Sequence, residues 1–392
     1  MRALFVVCVI DILGFGILIP LVPYMAVRFG VTPALITPIL GIYSLCQLLA
    51  APLWGRLSDR YGRRPILISS LSGACASYVL LGFADSPLGL IVARVIAGLM
   101  AGNIAAAFAY ASDISTPADR AKSMGVVGAA IGVGFMLGPA IGGLLAGDDL
   151  RSATFTRPAI AAATLTLIAI ALVVYLLPES HAPGRSTSSN TARRTGALRL
   201  LLVRPALRAI AAASFLVTCS QSTFESIFAI WALHKFGFGP RTVGLVLFTL
   251  AFLAVAVQGG LVRVLAPRIG EMRLAISGVL LYVCGLSSIA AANEWTLAMA
   301  GLACCAIGGG AFVPCASAIA SKQASAGERG AVMGTYQVGA SLARALVPLV
   351  SGMMYASLGA SAPFVFGAVL TAPAAFLVWR AARAPDAKSP VT

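Results

Sequence analysis

The sequence has few charged residues and few of the side chains that enzymes use. Charged residues make up 10% of its 392 residues, whereas a soluble protein carries about a quarter. Histidine occurs twice, at His181 and His234. The sequence contains no Walker A motif, no Ser-His-Asp set, and no cysteines or histidines at metal-ligand spacing. The eight cysteines lie in apolar runs, where a thiol packs as a small hydrophobic group. We therefore expect no enzyme activity, no bound metal and no cofactor.

Long apolar runs stand where the charges are missing. Hydrophobic residues make up 59% of the chain and the mean hydropathy is +0.94. The runs approach the ~20 residues that cross a bilayer as a helix, and this predicts an all-α polytopic membrane protein. The first run follows Met1-Arg2 without a small-residue cleavage site, so we interpret it as a retained helix. The twelve predicted spans are 4–27, 36–54, 65–84, 88–111, 124–146, 159–177, 208–233, 243–265, 274–291, 295–318, 333–355 and 362–379.

The basic residues lie mostly in short loops between these runs. A net charge of +15 is compatible with nucleic-acid binding, but no aromatic residues are interleaved with the charges. Membrane lipids are therefore the expected partner, and nucleic acid is not. If both termini are inside, the inner segments hold 21 of the 28 Lys and Arg residues and the outer loops hold 5. This bias predicts that both termini are cytoplasmic.

The chain divides into two similar halves. Residues 178–205 are rich in Ser, Thr, Pro, Gly and Arg and lack apolar periodicity, which is typical of a flexible linker. We predict a six-helix bundle at 1–177, a cytoplasmic linker at 178–206, a second six-helix bundle at 207–380 and a cytoplasmic tail at 381–392. A constant offset of 209 residues relates the halves and indicates a parallel internal repeat. Asp119-Arg120, Met124-Gly125, Pro139 and Gly143 recur as Glu328-Arg329, Met333-Gly334, Pro348 and Gly352.

A basic, glycine-punctuated stretch, Gly55–Pro65, separates the second and third spans. Gly55 and Gly62 can adopt a positive φ at little cost, and Pro65 suits the first turn of a helix. These features predict a cytoplasmic turn between two helices. Its counterpart in the second half, Arg263–Arg273, keeps a glycine at Gly270 but has proline where the first half has an acid.

That acid, Asp59, is expected to control the conformation of the turn. Four arginines surround it in the sequence, and burial against Arg56, Arg60 or a helix N-terminus would hold one conformational state. We interpret the stretch as a conformational lock and not as a binding site. The residues assigned to this conformational motif are Gly55, Asp59, Arg60, Gly62, Arg63 and Arg64.

Two acids lie well inside predicted spans. A charge at mid-span costs at least ~2.5–3.5 kcal/mol, so such residues are functional candidates by default. Asp11 and Glu225 lie in the first span of each half, and a carboxylate withdrawn from water can bind and release a proton near neutral pH. The alternative is a structural ion pair with a buried arginine.

Two arginines could supply that partner. Arg94 shares a helix face with Gly98 and Gly102, which would let a neighbouring helix approach and hold the guanidinium group. Arg94 would then neutralise Asp11 or set the pKa of a proton-binding site. Arg344 is the expected partner of Glu225. We assign Asp11, Arg94, Glu225 and Arg344 to proton or substrate coupling.

Neutral polar pairs on helix faces are candidates for substrate contacts. Tyr43 and Gln47 are four residues apart in the second span, and Gln221 and Glu225 repeat this spacing in the seventh. We assign Tyr43, Gln47 and Gln221 to a substrate cavity. Hydrogen bonding between helices is an equally good interpretation.

These features together resemble the major facilitator superfamily, and within it the twelve-span drug/proton antiporters such as the tetracycline efflux proteins. Gly55–Pro65 is similar to the inner-loop motif of that family, Arg94–Gly102 to its fourth-span motif and Asp11–Pro23 to its first-span motif. The fifth span resembles the antiporter motif through Gly134, Gly138, Pro139, Gly142 and Gly143. These glycines and the proline also indicate close helix packing and a kink.

The resemblance implies two pseudo-symmetric six-helix bundles of the major facilitator fold in a bacterial inner membrane. It implies efflux of a small amphipathic compound, an antibiotic for example, driven by the proton gradient and carried out by a monomer. The alternatives are a carrier of a metabolite such as a sugar or amino acid and, more remotely, a channel or an intramembrane enzyme. The third-span and ninth-span acids of tetracycline efflux proteins fall at Ser77 and near Tyr282.

Overall fold

A computed structural model describes residues 1–116, 119–149, 153–180, 204–323 and 329–383, with the side chains of 121, 329–337 and 382 excepted. Over these ranges the chain is helical and contains no strand. Its α-helices are α1 (Arg2–Leu18), α2 (Val22–Arg28), α3 (Pro33–Tyr61), α4 (Arg63–Gly82), α5 (Pro87–Leu99), α6 (Asn103–Asp113), α7 (Arg120–Ala146), α8 (Thr156–Leu176), α9 (Pro205–Phe236), α10 (Pro240–Ala256), α11 (Val262–Ile269), α12 (Glu271–Ala291), α13 (Trp295–Lys322), α14 (Arg329–Leu358) and α15 (Ala362–Arg383).

The predicted spans correspond to these helices, and the all-α polytopic class is confirmed. In the described part of the chain, eleven helical segments are long and apolar enough to cross a membrane. The predicted span 208–233 lies in the 32-residue helix α9, which is long enough but is not among the eleven. Its middle is polar, since Gln221, Thr223 and Glu225 interrupt the apolar run.

Three of the predicted spans are interrupted helices. The first contains a 3₁₀ turn, Ile19–Leu21, with Pro20 in its first turn. The fourth breaks between α5 and α6, and the eighth passes through a π-helical segment, Val257–Leu261, that includes two glycines. Glycine and proline loosen the regular helical hydrogen bonding, so these residues account for the interruptions.

The first compact unit comprises the described residues before 181 together with Phe228–Thr249. Its core is built around α1, which packs against α7 and α8. Small residues permit the contact with α7: a Cβ atom added to Gly138 would lie 2.6 Å from the backbone of Gly16. Close approach of this kind is how helices associate in a lipid environment, where apolar burial alone gives little driving force.

The second unit contains the other described residues. Helices α12 and α13 form its most extensive helix pair. Glycines meet across this pair at two levels, Gly278 with Gly308 and Gly285 with Gly301. Buried residues from α9 and α15 complete the core beside them, among them Ile210 and Val378.

The internal repeat is visible in the helix boundaries. Helices α7 and α14 begin at Arg120 and Arg329, which are related by the repeat offset, and each contains a proline, Pro139 or Pro348. The acid predicted to precede the second of these helices, Glu328, lies outside the described residues, as do most of the predicted linker and tail. The predicted limits of the two bundles remain predictions.

Candidate functional site

Asp11 is buried in the middle of α1. Its residue is 6% exposed, and its Oδ2 atom accepts a hydrogen bond from the Asn103 side-chain amide. Its Oδ1 atom is also buried and has no hydrogen-bond partner among the described residues. Asn103 is the first residue of α6, directly after the break in the fourth span. The helix break therefore places a polar amide against the acid.

Arg94 does not pair with Asp11, although the sequence suggested it. Both side chains are described, and no ion pair joins them. The Arg94 guanidinium lies over the Tyr43 ring, 4.7 Å from its centroid, and donates to the Leu40 carbonyl at 3.5 Å. Its Nε atom is buried and has no hydrogen-bond partner in the part of the chain that the structure describes. Gly98 lets α3 approach, since an added Cβ would lie 2.4 Å from the Tyr43 carbonyl. Arg94 is thus held by α3 and not by α1.

Two further aromatic rings continue from the Tyr43 ring that Arg94 contacts. The Phe15 ring lies 4.9 Å from that of Tyr43 and 6.0 Å from that of Phe135, which is 40% exposed. Gln47, one turn along α3 from Tyr43, is half-buried. A flat apolar ligand could stack on such rings while a negatively charged group of the ligand approaches the guanidinium. We call Phe15, Tyr43, Arg94 and Phe135 the aromatic cluster.

Glu225 and its neighbours lie in the second unit. Gln221 donates from Nε2 to Glu225 Oε1 at 3.1 Å, as their spacing on the helix predicted. Both side chains are exposed, as is Arg344. Arg344 acts electrostatically on Glu225, but these two described side chains form no ion pair. The predicted partners Glu225 and Arg344 therefore interact at a distance and not through direct contact.

The glycines of the fifth span hold α7 against two other helices. Gly134, Gly138 and Gly142 face α1, where an added Cβ would lie between 2.1 and 2.7 Å from the nearest atom of that helix. Gly143 faces Pro240, and the Pro139 carbonyl faces Gly244 of α10 at 2.3 Å from its added Cβ. The antiporter-like residues thus form a packing face on α7.

The basic stretch is less of a turn than the sequence suggested. Helix α3 continues to Tyr61, so Gly55 is helical, and only Gly62 has a positive φ, at 100°. Helix α4 begins at the next residue, and Pro65 lies in its first turn, as predicted. We call residues 55–65 the first hairpin. A single residue with a left-handed backbone is enough to reverse the chain here.

Arg63 is the centre of the charges at the first hairpin. It is 8% exposed and binds Asp59 at 2.7 Å and Asp113 at 2.9 Å. Two of the three predicted partners of Asp59, Arg56 and Arg60, are therefore wrong, and the ion pair is with Arg63 at the N-terminus of α4. Arg60 instead lies over the Tyr61 ring. Asp59 and Arg63 are four residues apart across the break, and their side chains lie on the same side of it.

A carboxylate from the start of the predicted linker completes this arrangement. Glu179 accepts hydrogen bonds from the backbone N–H groups of Arg63, at 2.8 Å, and Arg64, at 3.1 Å. These are free donors of the first turn of α4, where negative charge is favoured. Arg64 also donates to the Val174 carbonyl, so the end of α8 is fastened to the hairpin.

Sequence reasoning missed Asn103, Asp113 and Glu179. A signal existed for Asn103, since it is the one asparagine of the chain that lies in an apolar run. An amide in a membrane span needs a hydrogen-bond partner. Asp113 and Glu179 lie at span ends, where acids are common and carry little information by themselves.

Comparison with known proteins defines the class of this molecule as a membrane transporter. The Major Facilitator Superfamily model matches residues 4–285 and 210–392. The tetracycline resistance protein of class G from Vibrio anguillarum is 30% identical over 339 residues, which cover 83% of this chain and 82% of that protein. The class C protein from Escherichia coli is 28% identical over 359 residues, covering 89% and 87%. The chain belongs to the major facilitator superfamily.

Solved structures agree with this assignment. The human organic anion transporter MFSD10 is 26% identical and superposes with a TM-score of 0.69, covering 96% of this chain and 98% of that one. A bacterial homolog of the human lysosomal transporter Spinster has a TM-score of 0.80 at 17% identity, covering 100% and 98%, which shows the shared fold alone. The protein is thus an integral, multi-pass membrane protein with the major facilitator fold, and its relatives are transporters.

Proposed function

We propose that the protein exports a small amphipathic, drug-like compound in exchange for protons, by alternating access across a bacterial inner membrane. The observation that carries the proposal is the pair of acids Asp11 and Glu225, one in each compact unit and neither ion-paired with an arginine in the described part of the chain. Tetracycline resistance proteins are among the relatives, which supports export of a drug. We further propose cytoplasmic termini and function as a monomer, with lipids as the surrounding partner.

An unpaired acid in a membrane span is suited to carrying a proton. An ionised carboxylate without a counter-charge is costly in a low-dielectric setting, and binding a proton removes the charge. A conformational change that moves such a group between environments therefore depends on whether the proton is bound. Asp11 has the more enclosed position, while Glu225 is accessible and has an amide and an arginine nearby.

Substitution of Glu225 tests the proposal. Glu225→Gln keeps the size and the hydrogen bond from Gln221 but cannot release a proton. We expect it to abolish drug-induced alkalinisation in inside-out vesicles and drug resistance in a strain that lacks its own exporters. Membrane insertion should be intact, and Thr249→Val, an exposed polar position on α10, serves as the control. Unchanged proton-coupled transport would remove Glu225 from the mechanism.

The substrate panel for this assay should separate cationic from anionic compounds. Export of an organic anion is a second candidate, supported by the guanidinium group of Arg94, whose Nε has no hydrogen-bond partner among the described residues. The human structure that this chain resembles is described as an organic anion transporter. If anions are the substrates, Arg94→Gln should raise the half-saturating concentration for them, whereas cation export should retain its affinity. Saturable counterflow would exclude a channel.

A further inference from the structure

Two opposite charges lie near each other in the second unit without pairing. Glu225 of α9 and Arg344 of α14 are both exposed, and in the described part of the chain neither forms an ion pair. Both lie inside predicted spans, where an unpaired charge is costly unless water or a ligand reaches it. Such charges do not face the hydrocarbon of a bilayer, so they mark a surface of the second unit that water reaches.

Two contacts fix the register of α9 against α14. The hydroxyl groups of Ser226 and Ser351 are 3.1 Å apart, and a Cβ atom added to Gly339 would lie 3.9 Å from the Phe215 ring. The members of these pairs are 125 and 124 positions apart in the sequence. Because the offset is nearly constant over three turns, the two helices run parallel and side by side.

This register places Arg344 beside the polar part of α9. Arg344 precedes Ser351 by seven residues, so both lie on the face of α14 that meets α9. The same offset sets Arg344 level with residues 219–220, next to Gln221 and about 8 Å along the helix axis from Glu225. The electrostatic effect of Arg344 on Glu225 agrees with this placement. The guanidinium and the carboxylate are therefore neighbours that lie beyond ion-pair distance.

Gln221 orients the Glu225 carboxylate. Its Nε2 atom donates to Oε1 at 3.1 Å from one turn earlier on the same helix, which leaves Oε2 to accept from a ligand. A carboxylate accepts hydrogen bonds from a cationic group, and a guanidinium group donates to an anionic one. A small ligand that satisfies both side chains must therefore carry both charges.

We propose that Glu225, Gln221 and Arg344 form a recognition site for a small zwitterion, with the ligand's ammonium group on Glu225 and its carboxylate on Arg344. Gln221 is a positioning residue in this site. The proposal names a substrate class among the small amphipathic compounds, and it rests on the proposed function for the direction and the energy source of transport. Binding of the zwitterion requires neither.

Equilibrium dialysis on the purified protein, without a proton gradient, tests the site with matched probes. Phenylalanine carries both charges, 2-phenylethylamine lacks the carboxylate and 3-phenylpropionate lacks the amine. Phenylalanylglycine carries both charges at a wider separation. We expect one or both zwitterions to bind at least about tenfold more tightly than either singly charged probe, because two charge-assisted contacts replace one. If neither zwitterion is preferred, the proposal is overturned.

Single substitutions assign the two ends of the ligand. Arg344→Gln should weaken binding of the preferred zwitterion about tenfold and leave 2-phenylethylamine binding unchanged. Glu225→Gln should weaken zwitterion binding to the same extent and leave 3-phenylpropionate binding unchanged. Arg273→Gln removes an exposed arginine in the first turn of α12 and is the matched control, with no effect on any probe. Equal losses for all probes in Arg344→Gln or Glu225→Gln would show a structural role and overturn the assignment.

The positioning role of Gln221 has its own readout. Gln221→Leu has a similar size but donates no hydrogen bond to Glu225. It should weaken binding of the probes that carry an amine, while 3-phenylpropionate binding stays in place and shows that the protein is folded. Unchanged affinity for 2-phenylethylamine would remove Gln221 from the site.

The binding assay and the transport assay can fail independently. Selective binding of a zwitterion without proton-coupled export would retain the site and reject the proposed function. Proton-coupled export of drugs by a protein that does not prefer zwitterions would retain the proposed function and overturn the zwitterion site.

Discussion

Residues 55–65 and 263–273 reverse the chain in the same way but carry opposite charges at the reversal. We call the latter the second hairpin. A glycine with positive φ ends one helix in each, Gly62 at 100° and Gly270 at 87°. The next helix begins with Arg63 in the first hairpin and with Glu271 in the second. The backbone has thus been retained while the charge has been inverted.

The partners of these two residues are inverted as well. Arg63 binds Asp113, at the end of the fourth span, and Glu271 binds Lys322 at 2.8 Å, at the end of the tenth. The two ion pairs differ more in their exposure to solvent than in their separations. The Arg63 side chain is 10% exposed and has a second carboxylate in Asp59, whereas the Lys322 side chain is 70% exposed. The comparison shows that the repeat preserves an ion pair at this place, but only the first hairpin buries it in a network.

The largest effect should come from Arg63→Ala. Removing one partner of a buried ion pair costs about 3–5 kcal/mol, because the other charges remain without compensation. We expect a value near the lower end, since Asp59 and Asp113 retain some access to water. Thermal melting in detergent should show a large loss of stability, and export should fall with it. Lys322→Ala is the matched control in the second hairpin. Equal losses in the two variants would contradict the comparison.

A smaller effect should separate the two glycines. Gly62→Ala and Gly270→Ala both place a Cβ at a positive φ, which costs roughly 1–2 kcal/mol. An added Cβ at Gly62 would also lie 2.5 Å from the Glu179 carboxylate, whereas none lies within 4 Å of Gly270. Gly62→Ala should therefore lower the melting temperature more than Gly270→Ala.

Glu179 provides the control for the glycine comparison. In a Glu179→Ala background the carboxylate is gone, so the additional penalty of Gly62→Ala should disappear. The two glycine variants would then melt alike. If the melting temperatures still differ without the Glu179 carboxylate, the larger loss in Gly62→Ala comes from the backbone of the first hairpin and not from contact with Glu179.

The smallest effect should come from Glu271→Gln. Exposed ion pairs contribute about 0–1 kcal/mol and are screened by salt. We expect a slight shift in melting temperature that vanishes at high ionic strength. A loss comparable with that of Arg63→Ala would show that the second hairpin is held as firmly as the first.

The hairpins also show where prediction from sequence succeeded and failed. Gly62, Pro65 and Gly270 marked the helix ends correctly, because backbone preferences act within a few residues. The arginine that pairs with Asp59 was predicted wrongly, because Arg63 becomes its neighbour only once the helix break has set the direction of α4. Asp113 and Glu179 reach the hairpin from distant parts of the chain, and local spacing contains no information about them.

For the acids inside the spans, too, the sequence predicted one feature correctly and another wrongly. Asp11 and Glu225 were identifiable because a charge in a long apolar run is expensive whatever surrounds it. The partners of Asp11 and Arg94 were not identifiable. In the structure Asp11 accepts a hydrogen bond from Asn103, and Arg94 lies over the Tyr43 ring. Helices that are apolar on all sides do not reveal by periodicity which face meets which neighbour.

The sequence by itself determined the placement of the helical spans, the internal repeat and the family resemblance. These depend on helix length against bilayer thickness and on residue identity at fixed offsets, which are properties of the linear chain. Only the tertiary structure decided that Arg63 joins two carboxylates, that Glu179 caps α4 and that Asn103 donates a hydrogen bond to Asp11. Such contacts depend on the rotation and the distance of packed helices, which close-fitting glycines and helix breaks fix in three dimensions.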